Sequence, residues 1–140
     1  MEQLDRDCEK FRGGPSVAYS ERLHATIDNH GKIFINRKLH KAMGAPQAVY
    51  LYFNRKKDMI VIEPTQSTSS SESFLMIDAH HGARIIYSSP FCKDFNIRPE
   101  GTQRFITPET DSIGRLYLKL SETVTVTRGP RKKRGRTLGS

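Results

Sequence analysis

The sequence predicts a mainly β protein with short helices, an α+β chain in which two strand–helix–hairpin repeats form a pseudo-two-fold β-barrel. Three observations predict it. Short, alternating apolar runs are bounded by turn residues. The same order of elements occurs twice. Neither copy holds enough apolar residues to close a core alone, so the two are expected to share one, which would also cover the open edges of isolated hairpins.

The first repeat is assigned to residues 21–64. Residues 24–28 read as a strand and Asn29-His30-Gly31 as turn chemistry. Residues 32–36 (KIFIN) alternate and favour a strand. Residues 37–43 suit a helix, with Leu39 and Met43 on one face at i and i+4, Gly44 as a stop and Pro46 blocking continuation. Residues 48–53 and 59–63 then form a hairpin around the charged turn 54–58.

A polar, Ser-rich linker is expected over 65–73 (TQSTSSSES). The second repeat, 74–127, follows the same plan. Residues 74–78 form a strand, His80-His81-Gly82 a turn and 84–88 a strand. Residues 90–95 form a helix in which Phe91 and Phe95 repeat the Leu39–Met43 pair. Pro90 sits in the first helical turn, where its missing N–H does no harm. Residues 102–106 and 115–120 are expected to pair as a second hairpin around Asp111-Ser112-Ile113-Gly114.

The ends differ from these blocks. Residues 1–20 read as a poorly ordered lead. Residues 128–140 read as a disordered basic tail, because like charges among glycines cannot bury apolar area. The chain has 140 residues and a formal net charge of +8. Arg128, Arg131, Lys132, Lys133, Arg134 and Arg136 carry six of those positive charges. Without them 17 basic residues face 15 acidic ones. The charge therefore concentrates in the tail, and a basic tail implies a polyanionic partner, nucleic acid before an acidic membrane surface.

The body carries a second basic concentration. Between Arg22 and Lys57 stand eight basic residues, among them Lys32, Arg37, Lys38 and Lys41, against one acid, Asp28. On one face they would bind phosphate and release its condensed counterions. The alternative for such a run is an ordinary solvated face. The tail could follow a phosphate backbone or enter a minor groove, or serve solubility or targeting.

Other chemistry finds little support. Cys8 and Cys92 fit no metal or disulfide spacing and read as reduced thiols. The five histidines lack a metal-binding spacing, and His30, His80 and His81 belong at surface turns. The serines lack a nucleophile elbow, and no Gly-rich phosphate loop occurs. Asp28 and Asp78 end matching strands, where a carboxylate accepts turn N–H bonds, so they read as structural. No enzyme, cofactor or metal is expected, and no run is long enough for a membrane span. Tyr50, Tyr52, Phe53, Phe105 and Tyr117 could stack on bases, although strand aromatics are ordinarily core.

The run Ile27-Asp28-Asn29-His30-Gly31-Lys32-Ile33-Phe34-Ile35, then Leu39, Lys41, Met43-Gly44 and the hairpin of 49–63, resembles the swapped-hairpin DNA-binding domains of the AbrB, MazE and MraZ type. The tandem arrangement is most similar to MraZ. Lys32 stands where Arg is usual, Asn36 replaces a usual Pro, Ala45 to Gln47 replaces a usual Gly-Asp turn, and Ala83 intervenes between Gly82 and Arg84. The resemblance implies a swapped-hairpin barrel and a transcriptional regulator that binds DNA through basic turn and helix residues. Carried over, these are Lys32, His40 and Lys41 in the first repeat and Arg84 and Lys93 in the second, joined by Arg37, Lys38 and the tail.

The expected partner is nucleic acid, DNA before RNA. No membrane partner is expected, and a homo-oligomer is compatible. The expected location is cytoplasmic, on the nucleoid in a bacterium or nuclear in a eukaryote. The alternative is a non-catalytic protein-interaction or scaffold module that keeps the fold without the DNA face.

Overall fold

The computed structural model describes residues 6–9 and 22–126. Strands β1 (Ala25–Ile27) and β2 (Lys32–Ile35) form an antiparallel hairpin. Asp28 organises its turn: Oδ1 accepts from the backbone N–H of His30 and of Lys32, each at 2.9 Å. Gly31 adopts φ +79°, a left-handed conformation that glycine enters without steric cost.

Asn36 ends β2 and caps helix α1 (Arg37–Ala42), its Oδ1 accepting from the Leu39 N–H at 3.0 Å. That bond satisfies one of the orphan donors of the first turn. Strands β3 (Ala48–Asn54) and β4 (Met59–Thr65) then pair along their whole length. The strand expected over 74–78 divides at Met76. Its first part, β5 (Phe74–Leu75), pairs with β3, while β6 (Ile77–Asp78) pairs with β7 (Arg84–Tyr87) beyond a 3₁₀ turn at His80–Gly82. The chain thereby crosses from one sheet to the other. Helix α2 (Ser89–Asp94) follows, then β8 (Gln103–Phe105), β9 (Glu109–Thr110), β10 (Leu116–Lys119) and β11 (Thr123–Thr125).

These strands make two antiparallel sheets. The six-stranded sheet has the order β11-β8-β1-β2-β7-β6, and the five-stranded sheet β5-β3-β4-β10-β9. A mainly β architecture with short helices is therefore present. The sheets end in open strands instead of closing into one barrel. Inward residues of both feed one buried cluster: Ile27, Ile33, Ile35 and Ile86 from the first, Ile60, Ile62, Leu116 and Leu118 from the second. Leu39 and Met43 of the first half, and Phe91 of the second, join the same cluster.

The first and second halves of the chain meet at β2 and β7, where Ile33 faces Ile86 and Phe34 faces Ile85. Each glycine turn sits against the start of the other half's helix. A Cβ on Gly31 would lie 2.8 Å from Ser89 Cα, and one on Gly82 would lie 2.9 Å from Arg37 Cδ.

The hairpin expected from 102–106 and 115–120 does not form. β8 pairs with β1 and β11 in one sheet, whereas β10 pairs with β4 and β9 in the other. The register explains the divergence: Leu116 and Leu118 align with Ile62 and Ile60, so β10 buries both leucines against β4. The turn at 111–114 closes the shorter β9–β10 pair instead. β11, which the sequence pattern does not predict, adds an edge strand beside β8. Strand β4 runs to Thr65, and the serine run beyond it folds into a local turn in which Ser73 N–H donates to Ser70 O at 3.3 Å. No helix among the described residues is long and apolar enough to cross a membrane.

Candidate nucleic-acid interface

Helix α1 sorts its residues by face. Leu39 and His40 point inward and are buried. Arg37, Lys38 and Lys41 point outward and are exposed, and i, i+3 and i, i+4 spacing makes them neighbours. They line one groove of about 740 Å³ with His80 and His81, over a floor that includes Phe34 and Ile85. The groove therefore joins the first half's helix to the second half's turn. Among the described residues, none of Arg37, Lys38 and Lys41 forms an ion pair.

Lys32 extends the same side. Along β2, Ile33 and Ile35 are fully buried, while Lys32 is exposed and Phe34 half-buried. Strand alternation puts Lys32 and Phe34 on the outward face together. Lys93 is exposed in the last turn of α2, next to Asp94.

Two expected contacts take other roles. His40 is 5% exposed, and its Nε2 lies 2.7 Å from the Pro46 carbonyl oxygen. Burial lowers its pKa below 6.5, against the raising effect of that hydrogen bond. It holds the chain leaving α1 and faces away from the groove. Arg84 is mostly shielded. Its Nε lies 3.2 Å from Asp78 Oδ1, and its Nη1 donates to Gly82 O at 2.9 Å and Ala83 O at 3.0 Å. Its charge is engaged in bracing the turn. Asp78 thus pairs with Arg84, whereas Asp28 accepts turn N–H bonds as expected. Arg131, Lys132, Lys133, Arg134 and Arg136 lie outside the described residues, as does the lead apart from residues 6–9.

His30, His80 and His81 are exposed at turns. His24 is half-buried, edge-on to Phe34 at 6.2 Å, and burial, Arg22 and Arg104 depress its pKa. Both cysteines are free. Burial raises the Cys92 thiol pKa. Among the described residues no group of His, Cys, Asp and Glu could hold a metal ion.

Sequence reasoning passed over a second copy of the acidic turn. Asp111-Ser112-Ile113-Gly114-Arg115 repeats the Asp-x-x-Gly-basic order of Asp28-Asn29-His30-Gly31-Lys32. Asp111 Oδ1 accepts from Ile113 N–H at 3.1 Å and Arg115 N–H at 2.9 Å, as Asp28 does in its own turn. The strand aromatics also split. Phe105 is buried and Phe53 packs against the core, but Tyr52 is 50% exposed. Period-two alternation in β3, with Leu51 and Phe53 inward, carried that signal.

No family model, curated protein or solved structure matches this chain.

Proposed function

We propose that this protein is a DNA-binding regulator that grips the phosphate backbone through the α1 groove. Lys32, Arg37, Lys38 and Lys41 supply the folded contacts, and the basic residues of 128–136 add sequence-independent affinity. The observation that carries the reading is the convergence of Arg37, Lys38 and Lys41 on one groove with no acidic partner among the described residues. Such cations neutralise phosphate and release counterions, which is favourable and strongly salt-dependent. Exposed His80 and His81 add donors for phosphate oxygens on the same rim.

The fold reading that accompanies it is a tandem of two AbrB-like repeats, as in the resemblance to MraZ. The reciprocal seating of Gly31 on Ser89 and Gly82 on Arg37 supports two equivalent, interlocked units. Residues 21–64 and 74–127 are those units in this proposal.

A gel shift with the chain ended after Thr127 tests the groove apart from the tail. Retained duplex binding is expected, and complete loss would assign the activity to the tail alone.

One observation favours a second reading, a protein-interaction module. The outward row Ile77, Ile85, Phe34 and Thr26 crosses the six-stranded sheet to Arg104 and Val124. Ile77, Tyr87 and Val124 on that face are exposed apolar side chains, a surface suited to a protein partner. Loss of DNA binding on truncation would favour it.

A further inference from the structure

A different face carries a second set of aromatic and cationic groups. β3, β4 and β10 are neighbours in the five-stranded sheet, and Tyr52 and Tyr117 both register on Val61, from either side. The two tyrosines are therefore two strand spacings apart, about 9–10 Å between their Cα atoms. They point outward, because their strand neighbours Leu51, Phe53, Leu116 and Leu118 face the core. A cavity of about 710 Å³ lies there, with Tyr52, Tyr117, Val61, Arg55 and Lys56 in its lining.

The rings are held at their hydroxyl ends. Tyr52 OH donates to Glu63 Oε1 at 3.0 Å, and Tyr117 OH donates to Asp111 Oδ2 at 2.9 Å. Arg115 joins the two acids, with Nε 2.8 Å from Asp111 Oδ2 and Nη1 3.9 Å from Glu63 Oε2. Both carboxylates are thus occupied within the wall. Fixing the rings in advance lowers the ordering cost of stacking a ligand on them.

The cations of the slot are differently placed. Arg55 lies over the rings of Phe53 at 5.9 Å and Phe95 at 5.4 Å, and neither Arg55 nor Lys56 forms an ion pair among the described residues. A slot with aromatic walls, an apolar floor and uncompensated positive charge at its rim fits a planar base on a negatively charged chain. Stacking on a ring is indifferent to base identity, because every base has a π-face.

We propose that the outer face of the five-stranded sheet is a second nucleic-acid site. It takes single-stranded polynucleotide, stacking bases on Tyr52 and Tyr117 and holding phosphates with Arg55 and Lys56. This site is turned away from the α1 groove, since the two sheets enclose the core between them. It does not rest on the duplex-binding reading.

The test uses the full chain with a fluorescein-labelled oligo(dT), oligo(U) and a DNA duplex of equal length. Wild type, Tyr52→Ala, Tyr52→Phe, Lys56→Ala and the double variant Lys38→Ala/Lys41→Ala are compared by anisotropy at moderate salt. Tyr52→Ala is expected to lose about tenfold in affinity for both single strands, the scale of one aromatic stack, and to bind duplex as wild type does. Tyr52→Phe, which keeps the ring but loses its bond to Glu63, weakens single-strand binding less than Tyr52→Ala does, and Lys56→Ala weakens it as well. The chain has five tyrosines and no tryptophan, so quenching of its intrinsic fluorescence by oligo(dT) reports stacking without substitution. A folded Tyr52→Ala protein that binds both single strands as tightly as wild type overturns the proposal. So does an absence of quenching, or a proline-rich peptide filling the slot where oligonucleotides do not. Lys38→Ala/Lys41→Ala reports on the helix groove alone: duplex binding unchanged there rules out the groove as the duplex site and leaves the single-strand arm intact.

Discussion

The Ser88 hydroxyl donates to the Gly31 carbonyl oxygen at 2.7 Å, and the Ser88 backbone N–H donates to the same oxygen at 2.8 Å. Ser88 is fully buried. The two bonds tie the acidic turn of the first half to the start of the second half's helix. Replacing Ser88 by Ala removes one donor and leaves the other, which should cost about 1 kcal/mol of stability. Gly31→Ala should cost more, about 2 kcal/mol or above, because it adds a strained φ and an overpacked Cβ at once. Urea denaturation of both variants checks the order. If Gly31→Ala is as stable as wild type, the two halves are not packed through this turn.

The opposite change is expected just beyond α1. Ala45 adopts φ +53°, a region that costs a residue with a Cβ roughly 1–2 kcal/mol. Ala45→Gly relieves that strain but frees the unfolded chain, so a net gain of up to about 1 kcal/mol follows. Thermal melting reads it directly. A lower melting temperature would contradict the assigned backbone.

His40 gives the fold an acid-sensitive joint. Burial depresses its pKa below 6.5, so the unfolded chain takes up its proton first as pH falls. The neutral ring therefore contributes stability that is present above pH 6.5 and is lost progressively below it. His40→Gln, which can still reach the Pro46 carbonyl, should flatten the dependence over that interval. The check is urea unfolding at a series of pH values for both proteins. Equal slopes would remove His40 as the cause.

Asp111 also loses its contribution on acidification, at a lower pH than His40. Partial desolvation pushes its pKa up, but bonds from the Arg115 N–H and guanidinium, the Tyr117 hydroxyl and the Ile113 N–H outweigh it and bring the pKa to about 2. The stabilising effect is thus complete above the ordinary carboxylate value of 3.8, declines as pH falls below it and is gone once pH has passed through about 2. The same hydrogen bond raises the Tyr117 pKa above 10.0. Asp111→Asn should bring the Tyr117 titration, followed by phenolate absorbance, back toward the ordinary value. An unmoved titration would break the link between the two side chains.

Most local elements were legible because their signals are short-range. Alternation in 32–36 and 48–53, the Leu39–Met43 pair and the Asp28 turn all act within a few residues, and each produced the expected element. What the sequence did not disclose was long-range partnership. The segment 74–78 has the composition of one strand, yet Met76 hands it from β3 to β7. β8 and β10 read as a hairpin because they are neighbours in sequence, yet register with Ile60 and Ile62 drew β10 to β4. The basic cluster followed the same rule. Arg37, Lys38 and Lys41 were visible as a helical face, but their groove is completed by His80 and His81 from the other half. His40 turns inward for a related reason: its partner, the Pro46 carbonyl, is a backbone atom that sequence patterning does not advertise.

The salt dependence of duplex binding tests the central claim most directly. Each phosphate contact adds roughly 0.9 to the slope of log affinity against log salt concentration. Changing Lys32, Lys38 and Lys41 together to Ala, in a chain ended after Thr127, should weaken binding at every salt concentration and lower that slope by roughly 2–3. A slope and an affinity equal to those of the truncated parent would mean that phosphate does not meet this face.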